Sequence, residues 1–292
     1  MFGLRPRHPL TFKRKAWAVL QHLLMPSDWP AAVMHAIGAG RRLDVIQTDV
    51  LSGRPIGGAS SLRIAFAADW HAGATTHQQQ IDRAISAIAA SRADLILLGG
   101  DFVGHRPRDV RRLARGLRTL HAPLGVFAVL GNHDNHTDPA LVSDLLAECG
   151  VRLLMNEAAS FAAPFEGLRL IGLDDHTSGT PDATQLAVQS EMTTILLIHQ
   201  PSGLLDAASH RVDLALAGHT HGGQIVFPGG YAPITPGGAL SRRFLAGQFA
   251  LRDGGTLIVS RGVGTSTVPV RWNAPADLQV ITLHGAPTPV SS

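Results

Sequence analysis

Seven side chains in this sequence carry oxygen or nitrogen lone pairs at spacings that suit metal chemistry: Asp69, His71, Asp101, Asn132, His199, His219 and His221. They fall into five short blocks. Asp69-Trp70-His71 and His219-Thr220-His221 each place two of them at i, i+2, Gly100 precedes Asp101, Gly131 precedes Asn132, and His199 is followed by Gln200-Pro201. Two imidazoles at i, i+2 beside glycine can turn into one cleft, because glycine permits backbone angles that other residues avoid. Carboxylates, an amide oxygen and imidazoles, with no thiolate among them, suit Mn²⁺, Fe²⁺ or Zn²⁺, and suit Mg²⁺ less well because of the imidazoles. Seven ligands exceed one ordinary coordination sphere. Two ions roughly 3.5–4 Å apart that share one carboxylate would use them all. Each block alone has an ordinary reading: an Asx turn at Asp69, a tight turn at Gly100-Asp101, a cap at Asn132, a satisfied buried histidine at 199, two loop histidines at 219 and 221. Five blocks in succession make shared chemistry the simpler account.

The elements that must position these residues are legible beside them. Each block closes a short apolar run: Ile64–Ala68, Leu95–Leu98, Val126–Leu130, Ile195–Ile198 and residues 213–217. Such runs read as buried strands. Amphipathic segments at about residues 78–92, 108–120 and 138–149 lie between several of them. Alternating strands and helices predict an α/β fold with largely parallel core strands, in which ligands gather outside the carboxyl ends of the strands.

Composition bounds the class. With 292 residues, 45% hydrophobic and 16% charged, the chain is globular and long enough for a full core. A single cysteine, Cys149, excludes an intramolecular disulfide, agrees with a reducing compartment and is expected to be buried and inert. Charge is split. Residues 1–42 hold seven Lys/Arg against one acid, Asp28, whereas the remainder holds 18 basic against 21 acidic residues. An acidic body with only 5% aromatics argues against nucleic acid as a partner.

Taken together, the five ordered blocks resemble those of the calcineurin-like metallophosphoesterases over about residues 60–285, reading Asp69-Trp70-His71, Gly100-Asp101, Gly131-Asn132-His133-Asp134, His199 and Gly218-His219-Thr220-His221. Gly218–Gln224, Ser260-Arg261-Gly262-Val263-Gly264 and Pro269-Val270-Arg271 further resemble a bacterial branch of envelope-associated phosphodiesterases. Some members of that branch hydrolyse the pyrophosphate of UDP-2,3-diacylglucosamine, a lipid A precursor. The resemblance implies a four-layer α/β sandwich, two mixed β-sheets flanked by α-helices. It implies one metal on Asp69, His71, Asp101 and His221, and a second on Asp101, Asn132, His199 and His219. It implies hydrolysis of a phosphodiester or pyrophosphate by a metal-bridging hydroxide, with His133 beside the leaving group and Asp134 supporting it where the family often has Glu. The Asp-Arg-Gly of the Ser/Thr phosphatases is replaced by Asp101-Phe102-Val103-Gly104-His105, which argues against that branch. Arg106 and Arg271 are candidates for phosphate contacts, ordinary ion pairing being the alternative for each, and Trp70 either lines a substrate groove or packs beneath its loop. Other readings are a phosphomonoesterase, a nucleic-acid phosphodiesterase, or a non-catalytic interaction module on the same fold, a route that normally loses ligands.

The chain thus divides into a basic N-terminal segment, residues 1–42, and a catalytic domain, residues 43–292. Phe12, Ala16, Trp17, Leu20, Leu23 and Leu24 recur at helical spacing beside Lys13-Arg14-Lys15, and Ser27 is placed to cap a second short helix containing Pro30. No run reaches the roughly 18 apolar residues of a membrane span, and Gln21 and His22 break the core that a cleaved leader needs. A basic amphipathic segment suits the surface of an anionic membrane; docking on the protein's own core is the alternative. The expectation is a cytoplasmic protein at the inner face of the membrane. No oligomeric state follows from the sequence.

Overall fold

A computed structural model describes residues 27–187, 191–207 and 210–287. The Phe12–Leu24 stripe and Lys13-Arg14-Lys15 lie outside the described residues. Helix α1 (Trp29–Ala36) begins one residue later than a Ser27 cap would give, because Asp28 takes the cap position and Pro30 sits in the first turn. Proline is tolerated there, where its missing N–H would be unpaired anyway. The helix is docked on the body. His35 Nε2 lies 2.8 Å from Gln79 Oε1, the His35 ring stacks on His77, and Asp28 pairs with Arg112 at 3.2 Å.

Twelve strands among the described residues form two six-stranded mixed sheets. The first comprises β1 (Leu43–Leu51), β12 (Ala276–His284), β2 (Ser61–Ala67), β3 (Leu95–Leu98), β4 (Val126–Ala128) and β5 (Arg152–Leu153), in that order. The second runs β10 (Gly247–Ala250), β11 (Thr256–Val259), β9 (Leu214–Ala217), β8 (Thr193–Leu197), β7 (Leu168–Gly172) and β6 (Glu157–Ser160). The central ladders β2·β3·β4·β5 and β7·β8·β9·β11 are parallel, as the alternating pattern predicts.

The four layers follow from the period-2 alternation of strand side chains. On β2, Leu62, Ile64 and Phe66 face the second sheet, meeting Leu170, Leu197, Leu214 and Leu216 in a core buried between the sheets. Ala65 and Ala67 point the other way, toward Ile81, Ile85 and Ile88 of α2 (Gln78–Ala90), Leu113 and Leu117 of α3 (Arg111–Leu117), and Val142 and Leu146 of a later helix, Pro139–Glu148. Alanine on that face lets the helices come close. The predicted amphipathic segments are therefore these helices, shortened by a residue or more at their ends. Beyond the second sheet, Ala215 and Ala217 pack under Leu186, Leu204 and Phe244, carried by single turns of helix, a thinner cover than the first sheet has. Cys149 is buried and free, at the end of Pro139–Glu148.

Candidate metal centre

All five apolar runs end at one place, where the carboxyl ends of the parallel strands of both sheets converge. The chain turns there by leaving ordinary backbone space. Asp69, His71, Asp101, His219 and His221 have φ between 41° and 71°, the left-handed region that costs a non-glycine residue about 1 kcal/mol or more. Hydrogen bonds between blocks hold these turns: Asp69 N to Gly100 O at 2.9 Å, His71 N to Asp101 O at 2.9 Å, and His219 N to both Asp69 oxygens at 3.0 and 2.9 Å. Two motif glycines are required by close approach. A β-carbon on Gly131 would stand 2.2 Å from Asp101 Oδ1, and one on Gly218 would stand 2.4 Å from Asp69 Oδ2.

The structure brings all seven candidate residues together. Asp101 Oδ2 lies 3.4 Å from His71 Nε2 on one side and 3.4 Å from His199 Nε2 on the other. Beyond His71, His221 Nε2 is 3.0 Å from His71 Nε2 and 3.7 Å from Asp69 Oδ1. Beyond His199, Asn132 Oδ1 and His219 Nδ1 each lie 3.2 Å from His199 Nε2. Asp69, His71 and His221 thus offer ligand atoms within 4.8 Å of one another, and so do Asp101, His199 and His219. All of these side chains are buried.

The donors and acceptors in this cluster balance only around a positive charge. His199 Nδ1 points at Gly99 O, 2.8 Å away, so that nitrogen carries hydrogen and Nε2 is left facing the oxygens of Asp101 and Asn132. Either a proton or a cation must sit on that side. The electrostatics say the same. Burial lowers the His199 pKa, but the carboxylates of Asp101, Asp175 and Asp69 together outweigh it and carry the imidazole well above its usual range. Burial raises Asp101, yet His199 and His133 hold it well below the carboxylate range. Burial pushes Asp69 up to about 7. Burial and then the neighbouring His199 push His219 down to about 3, and burial drives His221 far down as well, so both are neutral lone-pair donors at pH 7. Buried carboxylates, an amide oxygen and neutral imidazoles fit divalent cations of the borderline class.

His133 sits at the rim of the cluster, its ring edge-on to His71 at 4.7 Å between centroids, its backbone N donating to Asp101 Oδ1 at 2.8 Å. The expected support from Asp134 is absent from its contacts. His133 Nδ1 bonds Gly104 O at 2.6 Å, while the Asp134 carboxylate accepts from Phe102 N, Val103 N and Gly131 N at 2.9, 3.2 and 2.9 Å. Asp134 therefore clamps two loops together, and burial followed by the Asp101 charge raises its pKa to about 8. Arg271 is not placed for a surface ion pair or to reach a phosphate. It is buried and gives its N–H groups to the carbonyls of His221, Arg261, Gly264 and Ala274, tying the last two motifs to the site. Trp70 is fully buried in the core beside the first sheet, so packing, not groove lining, is its role. Arg106 lies 4.0 Å from Asp109, a long contact.

A sixth strand end escaped the sequence reading. After β7, Asp174 and Asp175 are buried, and Asp175 accepts from Gln200 Nε2 at 2.6 Å and from Ser178 Oγ at 2.7 Å. Gln200 adjoins His199, so this loop braces the histidine from outside. The signal was the one used elsewhere, a short apolar run, Leu170–Leu173, closing on carboxylates. Asp277 was missed for the opposite reason, standing inside a strand. It accepts from Ser260 Oγ at 2.5 Å and Arg261 N at 3.0 Å, which explains the Ser260-Arg261-Gly262 motif as a tie between sheets.

A family model described as calcineurin-like phosphoesterase matches residues 62–223. Over 77% of this chain, an uncharacterized metallophosphoesterase of Aquifex aeolicus is 31% identical, with 86% of that protein covered. Phosphodiesterase YaeI of Escherichia coli is 30% identical over 77% of this chain and 83% of its own length. An uncharacterized metallophosphoesterase of Campylobacter jejuni is 29% identical over the same share, and there the match spans 59% of the relative.

Proposed function

The chain belongs to the calcineurin-like phosphoesterase family and is a metal-dependent phosphoesterase, and from that premise we propose that it cleaves a phosphodiester or pyrophosphate in a lipid-linked substrate at a two-metal centre. In this reading Asp69, His71, Asp101 and His221 hold one divalent ion, Asp101, Asn132, His199 and His219 hold the other, and Asp101 serves both. The observation that carries it is the central position of Asp101 Oδ2, 3.4 Å from a histidine of each group. Ions bound there would supply an acidified water and positive charge against the phosphoryl oxygens. The protein's own groups do the rest. Gly99 O orients His199, the Asp69 carboxylate accepts from His219 N, and Arg271 holds the carbonyl of His221. His133, kept in place by Gly104 O, stabilises or protonates the departing oxygen.

The lipid-linked substrate is supported by the charge split between residues 1–42 and the body, since each basic residue near an anionic headgroup contributes about 1 kcal/mol. Among the described residues no helix is long and apolar enough to cross a membrane; the contact proposed is one at the surface. The test is a panel of bis(4-nitrophenyl) phosphate, 4-nitrophenyl phosphate and UDP-2,3-diacylglucosamine, assayed after chelation and after re-addition of Mn²⁺, Zn²⁺ or Mg²⁺. Turnover of a diester or pyrophosphate restored by metal is expected. Preference for the monoester would overturn the diester reading.

A further inference from the structure

Immediately after the block His219-Thr220-His221 the chain makes an excursion, residues 225–236, and then returns to the same place. At its start, Val226 N bonds Trp272 O at 2.9 Å, and Gln224 Nε2 reaches Val268 O at 3.0 Å. At its return, a β-carbon on Gly237 would stand 3.3 Å from His219 Nε2. The excursion therefore rises from the rim of the metal centre. Its outward side chains are apolar. Tyr231 is 66% exposed, Ile234 77% and Trp272 56%, and Phe227 leans on Trp272 with ring centroids 5.7 Å apart. Tyr231 is the only tyrosine of the chain. An exposed cluster of this kind, with a tyrosine and a tryptophan in it, suits a boundary where one end of each ring is apolar and the other wet.

Three observations indicate what covers it. The sequence from Leu214 to Arg252 contains no aspartate or glutamate, and it carries Arg242, Arg243 and Arg252, all exposed. Arg242 and Arg243 form no ion pair among the described residues and lie one turn before Leu245, whose side chain packs on Gly223 together with Val226 and Ala232 of the excursion. Helix α1 stands next to this region, because Ala31 and His35 line one cleft with Thr265, Pro269 and Arg271. That helix in turn exposes Trp29 and Val33, at i and i+4 on one face, and the C-cap residue Ile37 that follows it. The chain with Lys13-Arg14-Lys15 leads into it.

We infer, resting on the reading of the centre as a phosphoesterase for lipid-linked esters, that Phe227, Tyr231, Ile234 and Trp272 seat the mouth of the metal centre on an anionic lipid membrane. Basic residues draw the face to the headgroups, and the aromatic side chains enter the boundary between headgroup and acyl chain. A phosphate ester whose leaving group or retained group is acylated would then reach the metals without leaving the bilayer.

The test separates this surface from the catalytic reading. Intact protein is mixed at low salt with vesicles of phosphatidylglycerol and phosphatidylcholine, with and without brominated acyl chains. Co-sedimentation is expected, with quenching of tryptophan fluorescence that shrinks in Trp272→Phe to the part that Trp17 and the exposed Trp29 supply, Trp70 being buried and out of reach. A double variant, Tyr231→Glu with Ile234→Glu, should lower vesicle affinity at least tenfold while still hydrolysing bis(4-nitrophenyl) phosphate, which also shows that it folds. Binding with quenching unchanged in Trp272→Phe would place another face on the lipid and overturn the inference. So would failure to bind, or sedimentation that follows protein concentration without lipid, the mark of a surface for a second copy. Loss of diester hydrolysis in the wild type would instead overturn the phosphoesterase reading, and the vesicle result would stand by itself.

Discussion

At the scale of single residues, the centre is a set of groups that need positive charge and are kept from water. Asp69, raised to about 7, is largely protonated at pH 6, and His199 holds its proton above the usual imidazole range. A cation entering the cluster must displace both. Raised pKa values mean that the competing protons are present below the folded pKa and gone above it, so metal affinity rises with pH through this window. Between pH 7 and 6, uptake by chelated protein should weaken about tenfold for the His199 proton and about fivefold more for that of Asp69, half ionised at pH 7, and calorimetry in two buffers of different ionisation enthalpy should register proton release. His133 answers to a different assay. Replacing it with alanine should reduce turnover about 100-fold on diesters with alkoxide-like leaving groups but far less on nitrophenolate esters, which depart without a proton. Metal content should stay unchanged. Equal losses on both substrates would leave His133 a structural part of its loop.

At the scale of elements, short strands end in turns that ordinary residues avoid, and glycine is what allows the turns to meet. Gly131 opens α4 (Asn132–His136) directly against Asp101, with a β-carbon at that position 2.5 Å from Asp101 N as well. Backbone cannot yield there as a side chain would. Gly131→Ala should therefore cost more than about 100-fold in turnover and shift the metal stoichiometry. Gly150, just after the helix α5 (Pro139–Glu148), makes a fair comparison, with φ at +77° and nothing within 4 Å of an added β-carbon. Gly150→Ala should lose only about 1 kcal/mol of stability and keep its activity. Similar behaviour of the two variants would mean that intrusion on Asp101 does not explain the motif glycine, whose own φ of −102° any residue adopts.

At the scale of the whole molecule, the centre straddles the seam between two sheets. Asp69, His71, Asp101 and Asn132 follow strands of the first, and His199, His219 and His221 follow strands of the second. Without ions the seam is closed by the core around Phe66 and Leu216 and by single hydrogen bonds such as His199 Nδ1 to Gly99 O. Ions shared across it should act as clamps. A ligand at about 1,000 times its dissociation constant stabilises the folded state by about 4 kcal/mol. Chelation should thus lower the melting temperature of the wild type by about 10 °C, at about 2–4 °C per kcal/mol for a chain of this size. Asp101→Ala should bind fewer than two ions and barely respond to chelator, and a full response in that variant would remove Asp101 as the shared ligand.

What the sequence determined alone was local: apolar runs closing on ligands, helical segments between them, and parallel strands at the centre. Those follow from periodicity and spacing, which act over a few residues. Only the tertiary structure decided which block faces which, because Asp69 and His219 meet across 150 positions through the packing of two sheets. It also decided the fate of residues whose chemistry permits several roles. Arg271 is a loop clamp because burial makes its guanidinium seek nearby carbonyls, and Asp134 accepts from backbone amides because three N–H groups converge on it. Trp70 lies under its loop because the turn at Asp69 and His71 places the residue between them in the core. Spacing names the groups that can bind a metal; burial and the competition for hydrogen bonds decide which of them remain available to do so.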